Sequence, residues 1–191
     1  MDGHRQDDDV GVADDLLRRD GARARGKDVD GERDVVGRPR ARHGDIIVLA
    51  VPVHRFRELP RELFAGKILV DAMNYWEPVD GDDPELTAAK NGTSMIVQER
   101  FPAARVVKSL NQLGYHELDE YPRALTSNDR IAIAAAGNDE LAVRVAMRLI
   151  DDLGFDPVHA GPLANGQLLE PDGSPFAATY TADELSRLVS R

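Results

Sequence analysis

The chain has 191 residues, of which 34 are acidic and 24 basic, so its formal net charge is −10 at pH 7. This balance disfavours a nucleic-acid-binding surface, and no basic stripe interleaved with aromatic residues is present. The sequence contains no Cys, which excludes disulfides and thiolate metal sites. No apolar run approaches the length of a membrane span. We therefore expect a soluble, cytoplasmic protein with neither nucleic-acid nor membrane partners.

Residues 1–43 differ in composition from everything that follows. They carry 11 acidic and 10 basic residues, six Gly and no Phe, Tyr or Trp. Dense charge with few apolar residues cannot offset the entropy that is lost on ordering. We therefore predict a disordered or loosely attached segment. Two alternatives stay open: a charged interaction tail, and a segment that is not the native beginning of the domain, as after a frameshift.

From Gly44 onward, four apolar runs predict buried strands. The first lies in Asp45–Pro52, and similar runs follow at 67–71, 105–108 and 130–136. Apolar side chains in both directions are typical of strands in a parallel sheet covered by helices. Residues 44–191 are therefore predicted to form an α/β domain. Ligands of such sheets bind outside the carboxyl ends of the strands, so the residues that follow each strand are the first candidates for function.

The connecting elements follow in chain order. The pattern predicts a short helical stretch over 53–64 interrupted at Pro60, a surface loop over 77–93, and a helix from a Ser94 cap to about Arg100. An amphipathic helix then follows Asn138 and ends at Gly154, with an apolar stripe at four-residue spacing: Leu141, Val145, Leu149 and Leu153. A last strand is predicted over 155–159. Thr181 and Glu184 form a capping box before a final helix.

Two asparagines stand directly after predicted strands. Asn74 ends the run Asp-Ala-Met-Asn, and Asn111 ends the run Lys-Ser-Leu-Asn. Each amide could hold a ring carbonyl or carboxamide of a flat ligand, or it could satisfy the backbone of a turn. Tyr75 and Trp76 follow the first asparagine, either as a lid over a ligand or as packing at the rim.

Other chemical motifs are weak or missing. Gly137-Asn138-Asp139 could contact a phosphate or ribose, but it is equally a helix cap. There is no Gly-x-Ser-x-Gly elbow, no Walker loop and no metal-binding cluster. Acid–base, nucleophilic and metal-assisted hydrolysis therefore all lack candidate residues.

The ordered motifs resemble those of one family. These are Val-Leu-Ala-Val-Pro, Val-Asp-Ala-Met-Asn, Val-Val-Lys-Ser-Leu-Asn, Ala-Ala-Gly-Asn-Asp and Asp-Pro-Val-His-Ala-Gly-Pro-Leu-Ala-Asn. In this order they resemble the NADPH-dependent coenzyme F-420 reductases, over roughly residues 44–172. The resemblance implies a Rossmann-type, mostly parallel sheet with helices on both faces. It also implies an oxidoreductase that exchanges hydride between NADP(H) and a 5-deazaflavin, coenzyme F-420, or a related redox partner. A homodimer is compatible with it.

The resemblance also implies which residues bind these cofactors. Hydride transfer would be positional, with no catalytic acid or base and no metal. The implied contact residues lie at strand ends and in the turns beyond them: Val51, Pro52, Val53, Asn74, Asn111, Gly137, Gly161, Pro162 and Leu163.

One family feature has no counterpart in this sequence. The family begins with a strand, a Gly-x-Gly-x-x-Gly turn and a helix, whereas residues 1–43 contain no such spacing. We therefore expect the N-terminal βαβ unit to be missing or degenerate. Losing two or three charge-assisted hydrogen bonds to the pyrophosphate would weaken NADP(H) by roughly 3–9 kcal/mol, or about two to six decades. The alternative function is a compromised remnant or a non-catalytic nucleotide-binding module.

Overall fold

A five-stranded sheet forms the centre of the protein, with the strands in chain order across it. The structure is a computed structural model that describes residues 45–123, 127 and 129–190. Its strands are β1 (Ile46–Leu49), β2 (Ile68–Asp71), β3 (Arg105–Ser109), β4 (Ala132–Gly137) and β5 (Asp156–His159). The predicted α/β fold is confirmed. The prediction of disorder for residues 1–43 lies outside the described residues.

The direction of the strands changes in the middle of the sheet. β1, β2 and β3 are parallel, β4 and β5 are parallel to each other, and β4 runs antiparallel to β3. The pairing of Val107 with Gly137 and of Ser109 with Ala135 defines this reversal. The carboxyl ends of β4 and β5 therefore lie at the opposite edge of the sheet from those of β1–β3. The residues that follow β4 and β5 therefore lie at the opposite edge from those that follow β1, β2 and β3.

Helices cover both faces of the sheet. The α-helices in the described residues are α1 (Glu77–Asp80), α2 (Pro84–Thr87), α3 (Thr93–Arg100), α4 (Tyr115–Glu120), α5 (Glu140–Asp152) and α6 (Ala182–Val189). Three 3-10 helices cover Val53–Glu58, Arg61–Leu63 and Leu163–Leu169. None of the helices in these ranges has the length and apolar character needed to cross a membrane. The result is a mostly parallel, Rossmann-like arrangement.

Alternate residues of the strands pack into different cores. On one face Leu49, Leu69 and Val106 pack with Phe56 and Phe101. On the other face, residues of β2, β3 and β4 pack against α5: Val70, Val107, Ile133, Ala142, Ala146 and Ile150. This alternation buries β2 and β3 on both sides, as their unbroken apolar runs predicted.

Two predictions about the connecting segments are wrong. The predicted loop over 77–93 contains α1 and α2, and Asp83 caps α2 by accepting hydrogen bonds from the amides of Glu85 and Leu86 at 3.1 and 3.2 Å. Pro residues in the first turns of both helices favour these short helices because they lack an N–H that would need a partner. Ser94 is not the cap of α3, because its hydroxyl donates to Asp71 Oδ2 at 2.6 Å.

The buried face of α5 is shifted from the predicted stripe. Leu141 is 50% exposed, whereas Ala142, Val143, Ala146 and Ile150 are buried. Ala142 and Ala146 let the helix approach the sheet closely, and Val143 and Ile150 fill the space beside them. The predicted helix stop at Gly154 is confirmed by its φ of 94°. The Thr181–Glu184 capping box is also confirmed.

Candidate functional site

Asn74 and Asn111 meet beyond the carboxyl ends of β2 and β3. Asn111 Nδ2 donates to Asn74 Oδ1 at 3.0 Å, and Asn74 Nδ2 donates to the Asn111 carbonyl at 3.0 Å. Asn111 Nδ2 also donates to the carbonyl of Leu169 at 2.7 Å. Since both of its partners are acceptors, the hydrogen bonds fix the orientation of the Asn111 amide. The two asparagine side chains therefore meet, and their binding of a shared flat ligand stays a prediction.

The two amides differ in exposure. Asn74 is half-buried, whereas Asn111 is 2% exposed. Asn111 Oδ1 is buried and accepts no hydrogen bond from the described residues. An unpaired buried acceptor costs about 1–3 kcal/mol. The pair therefore presents Asn74 toward solvent and keeps one acceptor unsatisfied.

The backbone just before Asn111 is strained. Leu110 has a φ of 66°, a left-handed conformation that a residue with a side chain rarely adopts. Its side chain is buried against the β2–β4 face of the sheet, which holds it there. Such conformations persist only where the surrounding structure enforces them, and they concentrate at functional sites. This turn ends β3 and brings Asn111 to Asn74.

A group of charged and hydroxyl side chains, here called the buried ion cluster, lies beneath the asparagine pair: Asp71, Thr93, Ser94, Lys108 and Glu170. Asp71 and Lys108 are register partners on β2 and β3, and each is 0% exposed. Lys108 Nζ lies 3.6 Å from Asp71 Oδ2 and 3.9 Å from Glu170 Oε1, and it donates a hydrogen bond to the Met73 carbonyl. A cation and two carboxylates are therefore enclosed between the sheet and α3.

The first turn of α3 supplies donors to both carboxylates of this cluster. Ser94 Oγ donates to Asp71 Oδ2 at 2.6 Å. The amide and the hydroxyl of Thr93 donate to Glu170 Oε1 at 2.8 and 2.7 Å. Sequence reasoning missed the cluster. Its signal was an Asp and a Lys that stand at equivalent positions in two apolar strand runs.

The remaining predicted site residues lie in different places. Val51 and Pro52 are half-buried after β1, whereas Val53 is 1% exposed and belongs to the core. The amide of Gly137 donates to the carbonyl of Gly161 at 3.0 Å, at the edge where β4 and β5 end.

Pro162 and Leu163 follow Gly161 at that same edge. Pro162 is exposed, but Leu163 is fully buried in the core and its amide donates to Asn138 Oδ1 at 3.0 Å. The antiparallel direction of β4 thus separates this group from the asparagine pair. Cofactor contacts of these residues stay a prediction, but the nine residues do not form one cluster.

The aromatic residues after Asn74 pack at the rim. The Tyr75 hydroxyl donates to the Gly81 carbonyl at 2.9 Å and accepts from the Asp83 amide at 3.1 Å. Trp76 is 53% exposed. Tyr75 is therefore fixed by the loop that contains α1 and α2, whereas about half of the Trp76 surface is exposed to solvent.

Arg57 ties this loop to the 3-10 helix that follows β1. Its guanidinium lies 2.5 Å from Asp83 Oδ2 and 2.6 Å from Glu85 Oε2. Burial is the largest single effect on Asp83 and raises its pKa. Hydrogen bonds from Arg57, Leu86 and Glu85, with the charge of Arg57, outweigh it and hold the pKa below its ordinary value.

This lowered pKa predicts a pH dependence of stability. The folded state binds the proton of Asp83 less readily than the unfolded chain. Its contribution is therefore present above an unfolded pKa of about 4 and is lost as pH falls through the folded pKa. Because the pair is partly exposed, we expect less than about 1 kcal/mol. Urea unfolding at neutral pH and near pH 3 should show a smaller loss of stability in Asp83→Asn than in the wild type and in an Asp82→Asn control. Equal pH dependence in all three would contradict the assignment.

Comparisons with known proteins give partial matches. No protein-family model matches the sequence. The protein YjhV of Escherichia coli is 36% identical over 61 residues, which are 32% of this chain and 44% of that protein. The match thus spans less than half of its relative.

Two solved structures share the fold. A hypothetical protein, SMa0349, from Sinorhizobium meliloti has a TM-score of 0.62 and 29% identity, over 72% of this chain and 67% of the other. A protein from an Arthrobacter species, described as "a putative F420 dependent NADP-reductase", has a TM-score of 0.56 and 27% identity, over 66% of this chain and 59% of the other. The chain therefore shares its Rossmann-like α/β fold with proteins that include one described as a reductase.

Proposed function

We propose that the Asn74–Asn111 pair orients a flat redox ring for direct hydride transfer, and that the protein is an NADP(H)-dependent oxidoreductase that uses a 5-deazaflavin such as coenzyme F-420. One observation carries the proposal: two amides converge beyond the carboxyl ends of β2 and β3. Open α/β sheets bind their ligands at this edge. The likeness to the Arthrobacter protein supports the same reaction class.

The exposed part of the pair offers a hydrogen-bond donor to the edge of such a ring. Among the described residues, only one hydrogen of Asn74 Nδ2 has an acceptor, and Asn111 Oδ1 has no donor. Deazaflavin and nicotinamide both carry a carbonyl, which can accept the second hydrogen of Asn74 Nδ2. Because Asn111 Oδ1 is buried, Asn74 is the first group that a ligand would meet.

The chain contributes position to the reaction and no acid or base. A bound nicotinamide supplies or accepts the hydride. The amides fix the orientation of the rings, and the half-buried Val51 and Pro52 offer an apolar wall at the end of β1. Holding two reactants in the correct geometry is by itself a large source of rate enhancement.

A second candidate is a nucleotide-binding module without turnover. Residues 1–43 contain no Gly-x-Gly-x-x-Gly sequence, and this favours the second candidate. Without such a loop, the pyrophosphate lacks the amides of a helix N-terminus. The module would bind the deazaflavin ring but would not transfer hydride.

Absorbance of the oxidised deazaflavin tests both candidates. The purified chain, mixed with F-420 and increasing NADPH, should reduce the deazaflavin at a rate that rises in proportion to NADPH without saturation, because the dinucleotide binds weakly. Asn74→Ala should slow this reaction, whereas Asn91→Ala, at an exposed asparagine, should not. Deazaflavin binding without reduction would favour the module, and neither binding nor reduction would contradict the proposal.

A further inference from the structure

We infer that Lys108 is a positioning residue for the Asn74–Asn111 pair and acts through the buried ion cluster, an inference that rests on the function proposed for that pair. Lys108 Nζ donates to the carbonyl of Met73, the residue before Asn74. On the other side of the pair, Asn111 donates to the carbonyl of Leu169, the residue before Glu170. Lys108 Nζ lies 3.9 Å from Glu170 Oε1. One ammonium group thus binds the backbone before Asn74 and faces the carboxylate of the residue that follows Leu169.

The surroundings of Lys108 exclude direct chemistry. Its side chain is 0% exposed, so it does not touch a ligand at the surface. A Cβ added at Gly166 would lie 3.1 Å from Lys108 Cβ, so the 3-10 helix Leu163–Leu169 packs tightly on the stem of the lysine. A lysine enclosed in this way keeps few rotamers, and its effect on the reaction is positional.

The two carboxylates connect Lys108 to α3. Asp71 accepts from Ser94 Oγ, and it also accepts from the Met73 amide at 3.0 Å. Glu170 accepts from the amide and the hydroxyl of Thr93. Both acidic groups therefore have donors on α3 and face the same ammonium.

The contacts join three segments into one unit. Two segments follow β2 and β3 and carry Asn74 and Asn111, and the third is the end of the last 3-10 helix, at Leu169. A displacement on the order of 1 Å at a reacting group can lower a rate about a hundredfold. Weakening the cluster should therefore lower the rate of hydride transfer more than it lowers ligand binding.

Glu170→Gln tests the inference without removing an acceptor. The amide oxygen of glutamine can still accept from Thr93, while the negative charge that faces Lys108 is lost. We expect the side-chain NH₂ protons of Asn111 to exchange with solvent about tenfold faster or more. With F-420 varied at one fixed NADPH concentration, we expect the apparent kcat to fall by a similar factor, while the apparent KM for F-420 changes by less than about twofold. Glu140→Gln removes a charge from an exposed glutamate of α5. This control should change neither the exchange of the Asn111 side chain nor the two kinetic constants.

Lys108→Met is the second variant, with a larger expected effect on the exchange of the Asn111 amide. If Glu170→Gln folds and the Asn111 side-chain protons exchange at the wild-type rate, the inference is wrong. It is also wrong if the substitution changes kcat and the KM for F-420 by equal factors. The exchange measurement needs no ligand, which separates the two proposals. If the wild-type chain transfers no hydride, the proposed function is wrong. Faster exchange of the Asn111 side-chain protons in Glu170→Gln would still show that the buried ion cluster positions the asparagine pair.

Discussion

Replacing Lys108 by Met is expected to lower the free energy of unfolding by about 3–5 kcal/mol. Asp71 is 0% exposed and the side chain of Glu170 is only 14% exposed, so two carboxylates would lose their cation in a poorly solvated place. The Met73 carbonyl would also lose its donor. Removing one partner of a buried ion pair costs more than the pair itself contributes, because the remaining charge stays desolvated.

Urea unfolding followed by tryptophan fluorescence measures this loss, since the chain has a single Trp. Lys90→Met, at an exposed lysine, is the matched control and should stay within about 0.5 kcal/mol of the wild type. The double variant Lys108→Met, Asp71→Asn should regain part of the loss, because it removes one of the unpaired charges. A Lys108→Met protein as stable as the control would contradict the described ion cluster.

Replacing Asn111 by Leu is expected to lower the rate of hydride transfer about a hundredfold, because Asn74, which meets the ring, would lose the donor that fixes its side chain. The loss of stability should be smaller, about 1–3 kcal/mol. The Leu169 carbonyl loses its donor, but the variant also removes Asn111 Oδ1, which has no partner among the described residues. These two changes act in opposite directions on the free energy of unfolding.

Initial rates with F-420 and excess NADPH test the first part, and urea unfolding tests the second. Asn91→Leu makes the same substitution at an exposed position and should leave both quantities unchanged. If Asn111→Leu transfers hydride at the wild-type rate, whatever its free energy of unfolding, Asn111 does not contribute to the orientation of the ring. If the rate of Asn111→Leu falls only in proportion to the fraction of unfolded protein, Asn111 likewise does not contribute to the orientation of the ring.

Much of the fold follows from local sequence. The apolar runs around β1, β2 and β3 predict buried strands because burial on both faces requires apolar side chains in both directions. The direction of β4 does not follow from its sequence. A run of Ala and Ile reads the same in a parallel and in an antiparallel pair, and the choice depends on how the chain returns to β3.

Part of the candidate site also follows from sequence, since Asn74 and Asn111 stand directly after strands. The buried ion cluster does not, because Asp71 and Lys108 become partners only once β2 and β3 are in register. Ser94 has a sequence typical of a helix cap, yet its hydroxyl binds Asp71, a residue 23 positions earlier. Tertiary contacts of this kind override local preference, and a single sequence does not contain them.

The most direct test of the asparagine site is an NMR titration of the purified chain with F-420, which follows the side-chain amides of Asn74 and Asn111 and the indole of Trp76. Ring binding at the carboxyl ends of β2 and β3 predicts that these three signals shift together with one saturating curve. It also predicts that signals of Gly137, at the opposite edge of the sheet, stay unchanged. Shifts confined to Gly137 and Gly161, or no shifts at saturating F-420, would contradict the assignment of this site.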